Sequence, residues 1–179
     1  MTYLVNPFTA KFDAVRGQGS LMWGSFYDTT TQTAAVINTA YPININSTDP
    51  ASNGVSVASG SRITFARGGI YSVTYSVQLT NSSAQMHDVN IWLRKNDSGS
   101  TGDIVATDSK FTVNEKHGAV NGAVIGCVNY VLKLIAADYL ELIWSTDDLS
   151  CVIQSFPASV SGPAHPSVPG IIVTAFQIA

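Results

Sequence analysis

The 179-residue chain has the length of one ordinary domain, and only 12% of its residues are charged, about half the usual share in soluble domains. Its net charge of −3 and the lack of a basic run argue against a nucleic-acid partner, because phosphate binding needs clustered Lys and Arg. No apolar run is long enough to cross a bilayer and the N-terminus lacks the pattern of a secretory signal, so we expect no membrane partner. So few charges predict that part of the surface is covered in an assembly or is formed by Ser, Thr and Asn.

Residues 1–19 differ in character from the rest of the chain. They combine aromatic side chains with Pro7, which interrupts regular structure, and they end in a glycine-containing joint at residues 16–20. The segment is either an edge strand of the domain or an arm that docks on a partner, and the cost of leaving its aromatic residues in water favours the arm. We therefore predict a docking arm over residues 1–19 and a single domain over residues 20–179. The candidate anchoring residues are Tyr3, Asn6, Pro7, Phe8, Phe12 and Asp13.

Short apolar stretches alternate with turn residues throughout the predicted domain. The predicted strands cover residues 23–27, 34–38, 41–46, 55–57, 63–65, 69–79, 89–94, 110–113, 124–134, 139–144, 151–155 and 171–178. About ten short strands at near-regular spacing predict an antiparallel sandwich. Pro42 indicates an edge position for its strand. The four prolines of residues 156–170 indicate a long ordered loop or a lid.

The strand predicted over residues 69–79 has the clearest pattern in the chain. Its apolar residues alternate strictly with Ser, Thr and Gln, a period of two that is typical of a strand with one face on a core. The residues that we expect to face the core are Tyr71, Val73, Tyr75, Val77 and Leu79. We place this strand in the middle of a sheet.

Two other predicted strands are apolar on both faces. Residues 124–134 and 171–178 have this pattern, which is unexpected in an isolated two-sheet sandwich of this size. It fits a sheet whose outer face packs on other subunits, and so predicts an oligomer. The candidate interface residues are Val124, Val128, Tyr130, Val173, Phe176 and Ile178.

Nothing in the sequence indicates catalysis or a cofactor. His87, His117 and His165 all fall in loop-like segments, and no Gly-x-Ser-x-Gly elbow accompanies them. The pair Asp147 and Asp148 could contribute to a calcium site, but no ligand loop is visible, so a solvated turn is the favoured interpretation. We predict a protein that is not an enzyme and has neither cofactor nor metal.

One exposed aromatic residue is a candidate ligand contact. Trp92 lies on the strand face opposite Val89, Ile91 and Leu93, and close to Arg94. It could stack on a sugar of a host surface glycan, or it could pack against a neighbouring sheet or subunit, which is the favoured interpretation. The candidate ligand contacts are Trp92, Arg94 and, in a loop tip, His117.

The two cysteines, Cys127 and Cys151, both lie in apolar, strand-like stretches. Free buried thiols are the favoured interpretation. A disulfide between them is the alternative, since its feasibility depends on a Cα distance that the sequence does not supply.

Residues 69–75, Gly-Ile-Tyr-Ser-Val-Thr-Tyr, resemble the Gly-x-Tyr-x-aromatic-x-Tyr pattern of the globular heads of complement-type proteins. Those heads share a jelly roll with tumour necrosis factor. Val73 stands where that family usually has Phe.

Further matches follow in the family's order. Residues 91–96 resemble the strand that leads to an Asn-Gly turn, with Asp97 in place of the Gly. Residues 134–142 resemble the Leu-x-x-Gly-Asp-x-Val-x-Leu segment, with Ala137 in place of the Gly, and residues 172–176 stand where the family ends in an apolar strand. The resemblance implies a ten-strand jelly roll that assembles as a trimer about its two-sided apolar strands.

Several segments of the chain are also similar to recurring segments of tailed-phage virion proteins of this type. They are residues 23–33, 60–64, 88–96 and 142–145, and residues 5–13 resemble short N-terminal segments that precede phage fibre and head-accessory modules. The resemblance implies a non-enzymatic component of the virion, assembled in the host cytoplasm.

The expected function is therefore that of a homotrimeric head decoration or cement-like module. It would be attached through residues 1–19 to other virion proteins such as the major capsid protein. The alternative is the receptor- or glycan-binding tip of a tail fibre, with loops at residues 81–87, 96–102 and 156–170 touching the host surface.

Overall fold

The structure, a computed structural model, describes residues 2–5, 12–15 and 21–179. Its strands are β1 (Thr2–Val5), β2 (Phe12–Val15), β3 (Trp23–Asp28), β4 (Gln32–Thr33), β5 (Tyr41–Pro42), β6 (Ser47–Thr48), β7 (Val55–Ala58), β8 (Arg62–Phe65), β9 (Gly69–Asn81), β10 (His87–Lys95), β11 (Ser109–Val113), β12 (Gly122–Leu134), β13 (Tyr139–Thr146), β14 (Cys151–Ile153) and β15 (Ile171–Gln177). The helical segments of this part of the chain are two short 3-10 turns, Ser100–Gly102 and Val105–Thr107. The predicted all-β, antiparallel class is confirmed. The count of ten strands is not, because the described residues form fifteen strands, three of them only two residues long.

The domain consists of two antiparallel sheets. In the first, which we call the β10 sheet, the order is β11-β10-β13-β8-β7, and β5 also pairs with β13. In the second, the β9 sheet, β9 pairs with β12 along its whole length on one edge. On its other edge β9 pairs with β15 and then with β14, while β3 pairs with the far edge of β15. The prediction that the alternating strand lies within a sheet is confirmed.

The core lies between the two sheets. The five inward residues predicted for β9 are 0–1% exposed, as their period of two requires. Phe65 of β8 packs edge-to-face on Tyr71 of β9, with ring centroids 4.7 Å apart, and so joins the two sheets. Phe26 and Trp144 fill the same core, at 0% and 1% exposure.

The segment between β3 and β7 is less regular than predicted. Residues 34–40 form turns, with Asn38 at φ +54°, and only Tyr41 and Pro42 of the strand predicted over residues 41–46 are in a ladder. Ile43 and Ile45 are buried, but their backbone N–H groups donate to acceptors in two different places, Leu142 and Gly60. The apolar pattern of residues 41–46 therefore predicted the burial of Ile43 and Ile45 correctly, but it wrongly predicted that they lie in a continuous strand.

The loop of residues 156–170 is the long loop that its prolines indicate. Two backbone bridges organise it, one between Phe156 and Val168 and one between Ser159 and His165. The loop is therefore ordered by backbone pairing between its own residues. Neither bridge involves a strand of the two sheets.

The N-terminal segment contains a small sheet of its own. β1 pairs with β2 in the register Thr2 to Val15 through Val5 to Phe12. Of the predicted anchoring residues, Tyr3, Phe12 and Asp13 lie on these two strands, and Asn6, Pro7 and Phe8 lie outside the described residues. The docking arm stays a prediction. No helix of the described residues has the length and apolar character that a membrane span requires.

Both cysteines are free, but only one of them is buried. Cys151 of β14 is 0% exposed, and burial raises the pKa of its thiol to about 11. Cys127 of β12 is exposed, which corrects the prediction that it is buried. The two strands lie on opposite edges of β9, so neither cysteine faces the other across a ladder.

Candidate functional site

The outer surface of the β9 sheet carries exposed apolar side chains. The set that we call the outer apolar face consists of Ile70, Ile125, Val131, Ile172 and Phe176, which are 39%, 67%, 59%, 41% and 47% exposed. The ladder register aligns Val131, Ser72 and Phe176 in one row across β12, β9 and β15. A second row aligns Cys127, Ser76 and Ile172. The apolar side chains therefore lie beside one another on a single surface.

A polar row crosses the same surface between the two apolar rows. Asn129, Thr74 and Thr174 are aligned there, and the Asn129 side-chain amide donates to Thr74 Oγ1 at 2.6 Å and to Ser72 Oγ at 2.7 Å. The outward side chains along the middle of β9 are short hydroxyl residues that project little from the sheet. A second protein could therefore approach the sheet closely.

The predicted interface residues divide between the two faces of the β9 sheet. Phe176 and Ile178 are exposed, at 47% and 49%. Val173 is 0% exposed, which corrects its assignment to an intermolecular contact. It faces inward because it shares the parity of Ile171 and Ala175, both buried.

The residues predicted on β12 also face inward. Val124, Val128 and Tyr130 are partly buried and pack against the core. The Tyr130 hydroxyl donates to the Thr107 carbonyl at 2.5 Å, which connects β12 to the 3-10 turn before β11. The large aliphatic residues that β12 exposes are Ile125 and Val131, and neither was predicted as an interface residue. The ladder partner of each on β9, an outward Gln78 or Ser72, is the signal that would have identified them.

The outer surface of the β10 sheet has a different chemistry. Lys110 Nζ lies 2.7 Å from Asp88 Oδ2, and Asn90 Nδ2 donates to both carboxylate oxygens of Asp108 at 3.0 and 3.1 Å. The pKa of Asp88 lies below its ordinary value because Lys110 and Thr112 hydrogen-bond to the charged form. Polar pairs of this kind stand on this face where apolar side chains stand on the other.

A groove of about 380 Å³ runs beside Trp92 on this polar face. Trp92, Asn90 and Ser145 line it from β10 and β13, while Asp108 and Val105 line it from the loop that follows β10. The prediction that Trp92 lies opposite Val89, Ile91 and Leu93 is confirmed, since those three are buried in the core and Trp92 is partly exposed.

Arg94 is not available as a ligand contact. Its side chain is 8% exposed, its Nε donates to Asp103 Oδ1 at 2.7 Å, and its Nη1 donates to the Ser98 carbonyl at 3.2 Å. Burial would raise the pKa of Asp103, but the N–H groups of Arg94 and Trp92 outweigh it and lower that pKa. The Trp92 Nε1–H is close enough to Asp103 to lower its pKa, yet among the described residues no acceptor meets hydrogen-bond geometry with it. Arg94 thus holds the loop that walls the groove.

His117 does not belong to the same site. It lies in a tight turn with Val120, and its neighbour Lys116 donates its backbone N–H to Ser83 at 2.8 Å. β11 ends opposite His87, the first residue of β10, whereas Trp92 lies five residues further along that strand. At about 3.3 Å per residue the two predicted contacts are well over 10 Å apart.

Ser83, His87 and Asp147 meet in an arrangement that resembles a hydrolytic triad. His87 Nε2 lies 3.2 Å from Ser83 Oγ, and His87 Nδ1 lies 3.4 Å from Asp147 Oδ1. Ser83 Oγ also accepts the Gln85 backbone N–H at 3.1 Å, and Asp147 Oδ1 accepts the Asp88 backbone N–H at 3.0 Å. Both acceptors therefore serve loop closure, and we assign the cluster a role in fastening the loops.

The predicted acidic turn also forms. Asp148 Oδ1 accepts the Ser150 N–H at 2.8 Å, and hydrogen bonds from Ser150 lower the pKa of Asp148. Within the described residues, no group of three or more His, Cys, Asp or Glu is arranged to hold a metal ion. The absence of enzymatic activity stays a prediction.

No family model matches the chain, and no curated protein is similar to it. Among solved structures the chain is similar to the Eiger TNF of S. frugiperda, with a TM-score of 0.58 and 10% sequence identity over 89% of this chain and 93% of that chain. At this identity the likeness concerns the fold alone. The two-sheet sandwich is a jelly roll of the tumour-necrosis-factor type, which confirms that part of the resemblance.

Proposed function

We propose that the chain is a non-enzymatic structural module that assembles as a homotrimer through the outer apolar face. The observation that carries this proposal is the contrast between the two sheets: Ile125, Ile172 and Phe176 are exposed on the β9 sheet, whereas the β10 sheet exposes paired polar groups. Proteins of the tumour-necrosis-factor-like fold are typically trimeric and non-enzymatic, which is consistent with this reading.

Covering the outer apolar face contributes favourable free energy to such an assembly. Burying a large apolar side chain fully is worth about 1.5–3 kcal/mol. The five residues of the outer apolar face are 39–67% exposed, so covering them contributes roughly 1 kcal/mol each, or about 5 kcal/mol per protomer before ordering costs.

Two matched variants test the interface. Phe176→Asp places a carboxylate on the outer apolar face, and Ser56→Asp places one at an exposed position of β7 in the other sheet. Because an unpaired carboxylate is costly to bury, Phe176→Asp should convert the trimer to monomers in sedimentation equilibrium. Ser56→Asp should leave the trimer intact. A wild-type chain that sediments as a monomer, or a Phe176→Asp trimer, would refute the proposal.

We further propose that the trimer is part of a phage virion, as a head decoration or cement-like module. The similarity of residues 23–33, 88–96 and 142–145 to segments of tailed-phage virion proteins supports this proposal. The similarity of residues 5–13 to the segments that precede phage accessory modules also supports it. The separate β1–β2 sheet supports attachment through the N-terminal segment to another virion protein, such as the major capsid protein.

Deleting residues 1–16 tests the attachment. The truncated chain should remain a folded trimer and should no longer join the particle, and labelled antibody on whole virions should mark the head. A truncated chain with full occupancy on virions would refute the anchoring role. Label at the tail would instead favour a tail-fibre tip.

A further inference from the structure

We propose that the groove beside Trp92 binds a neutral hexopyranose unit of a glycan. The inference concerns each protomer alone, and only the threefold display of the site rests on the proposed trimer. Of the three candidate contacts that the sequence indicated, Trp92 lines this groove, and Arg94 and His117 do not.

The shape of the groove suits one sugar ring and its neighbour. Its volume of about 380 Å³ is at the lower end of the range of roughly 300–1,000 Å³ for small-molecule sites. A second cavity of about 190 Å³ adjoins it and shares Asn90 and Ser145 as lining residues. The two cavities therefore lie side by side on the β10 sheet, where the two rings of a disaccharide could each contact one of them.

The apolar part of the groove matches the apolar face of a pyranose ring. Trp92 offers a partly exposed indole, and aromatic rings combine a large apolar surface with little conformational freedom. Val105, on the loop across the groove, is 92% exposed, so this apolar side chain is almost fully in contact with solvent. A sugar ring seated between the two would cover both side chains.

The polar part of the groove matches sugar hydroxyls. Asn90 and Ser145 are direct ladder partners, so their side chains lie side by side on the floor. Asp108 accepts two hydrogen bonds from Asn90 and takes part in no ion pair among the described residues, so its carboxylate retains acceptor capacity. An amide, a hydroxyl and a carboxylate within one groove supply both donors and acceptors.

Charge selects against acidic ligands. Asp103 and Asp108 line the groove and Asp88 and Asp147 line the adjoining cavity, whereas the cations near them are Lys110, paired with Asp88, and the buried Arg94, paired with Asp103. A uronic acid or a phosphate would meet uncompensated negative charge. A neutral sugar is the chemistry that fits.

Saturation-transfer NMR tests the site. The probes are the methyl glycosides of glucose, galactose, mannose and N-acetylglucosamine, with methyl glucuronide as the acidic control ligand. At least one neutral glycoside should receive saturation from the protein with a millimolar Kd, and the glucuronide should receive none. A matched disaccharide should bind more tightly, because it reaches the adjoining cavity.

Variants then locate the binding. Trp92→Ala and Val105→Asp should each weaken it at least tenfold, while Phe156→Ala, which removes an exposed aromatic ring from the long loop, should not change it. Val105→Asp alters a side chain that is 92% exposed, so the test stands even if Trp92→Ala fails to fold. No saturation of any neutral glycoside, equal binding of the glucuronide, or unchanged binding in Val105→Asp would overturn the proposal. A chain that binds sugar but sediments as a monomer would refute the proposed trimer and leave the sugar site supported.

Discussion

Ala137, in the turn between β12 and β13, is held in a conformation that suits glycine. It has φ +69° and is exposed, and its N–H donates to the Phe65 carbonyl at 2.8 Å, which fixes the turn. The left-handed conformation costs an L-residue roughly 1–2 kcal/mol. Glycine removes that cost but loses about 0.5–1 kcal/mol more entropy on folding. Ala137→Gly should therefore stabilise the domain by about 0.5–1 kcal/mol.

The adjacent residue supplies a matched control. Ala136 is also exposed and is not among the residues with positive φ, so Ala136→Gly should destabilise by about 0.5–1 kcal/mol. For a domain of this size each 1 kcal/mol moves the Tm by roughly 2–4 °C. Thermal unfolding at one fixed protomer concentration should thus raise the Tm of one variant and lower that of the other. Two variants that both lose stability would refute the backbone argument.

Three further outcomes follow from buried groups. Burial raises the pKa of Asp138, but hydrogen bonds from Lys95, the Ile135 N–H and Asn96 together outweigh it and keep that pKa below its ordinary value. The stabilisation from Asp138 is therefore present above the ordinary carboxyl pKa of about 3.9 and is lost as pH falls through the lowered value. Asp138→Asn should lose less stability than the wild type between neutral and acid urea titrations. Thr80→Val should raise the free energy of unfolding by about 1 kcal/mol, and with it the urea midpoint, because no described residue is a hydrogen-bond partner of the buried Thr80 Oγ1. In a Cys127→Ser variant, maleimide should label Cys151 only as fast as the domain opens, because that thiol is fully buried.

Periodicity made the centre of the fold predictable. β9 pairs on both edges and buries alternate residues. Its strict alternation of apolar and polar residues therefore identifies which face is buried, and the five inward residues were predicted correctly. Strands apolar on both faces carry no such parity. The two-sided apolar pattern of β15 led us to predict Val173 in an interface, but its pairing with the buried Tyr75 places it in the core.

Residues brought together by loops were the least predictable part. Asp108 and Val105 reach the groove because Arg94 fastens the loop through Asp103 and Ser98, and no local period announces such a contact. Trp92 could be found because its strand alternates. The sequence therefore indicated one residue of the groove correctly and paired it with His117, which lies near the other end of β10.

The two matches to the complement-type pattern that lack glycine meet in space. Asn96, at φ +54°, donates from its side-chain amide to Asp138 and accepts the Tyr139 N–H at 2.8 Å. The turn after β10 and the turn before β13 are thus joined by side chains, so the segment around Ala137 keeps its shape without the usual residue. The structural role of the pattern lies in this contact.

The two ends of the jelly-roll domain lie close together. Met22 and Gln177 exchange hydrogen bonds, and Ala179 accepts the Ile70 N–H at 2.7 Å, so the first strand of the domain begins, and the last strand ends, where β9 begins. The loops that follow β9, β11 and β13 meet at its other end, as the bond from Lys116 to Ser83 shows. An N-terminal attachment would therefore place these loops far from the particle. With the outer apolar face turned toward the trimer axis, the opposite sheet and its groove would face outward in three copies, which a multivalent glycan could engage with avidity.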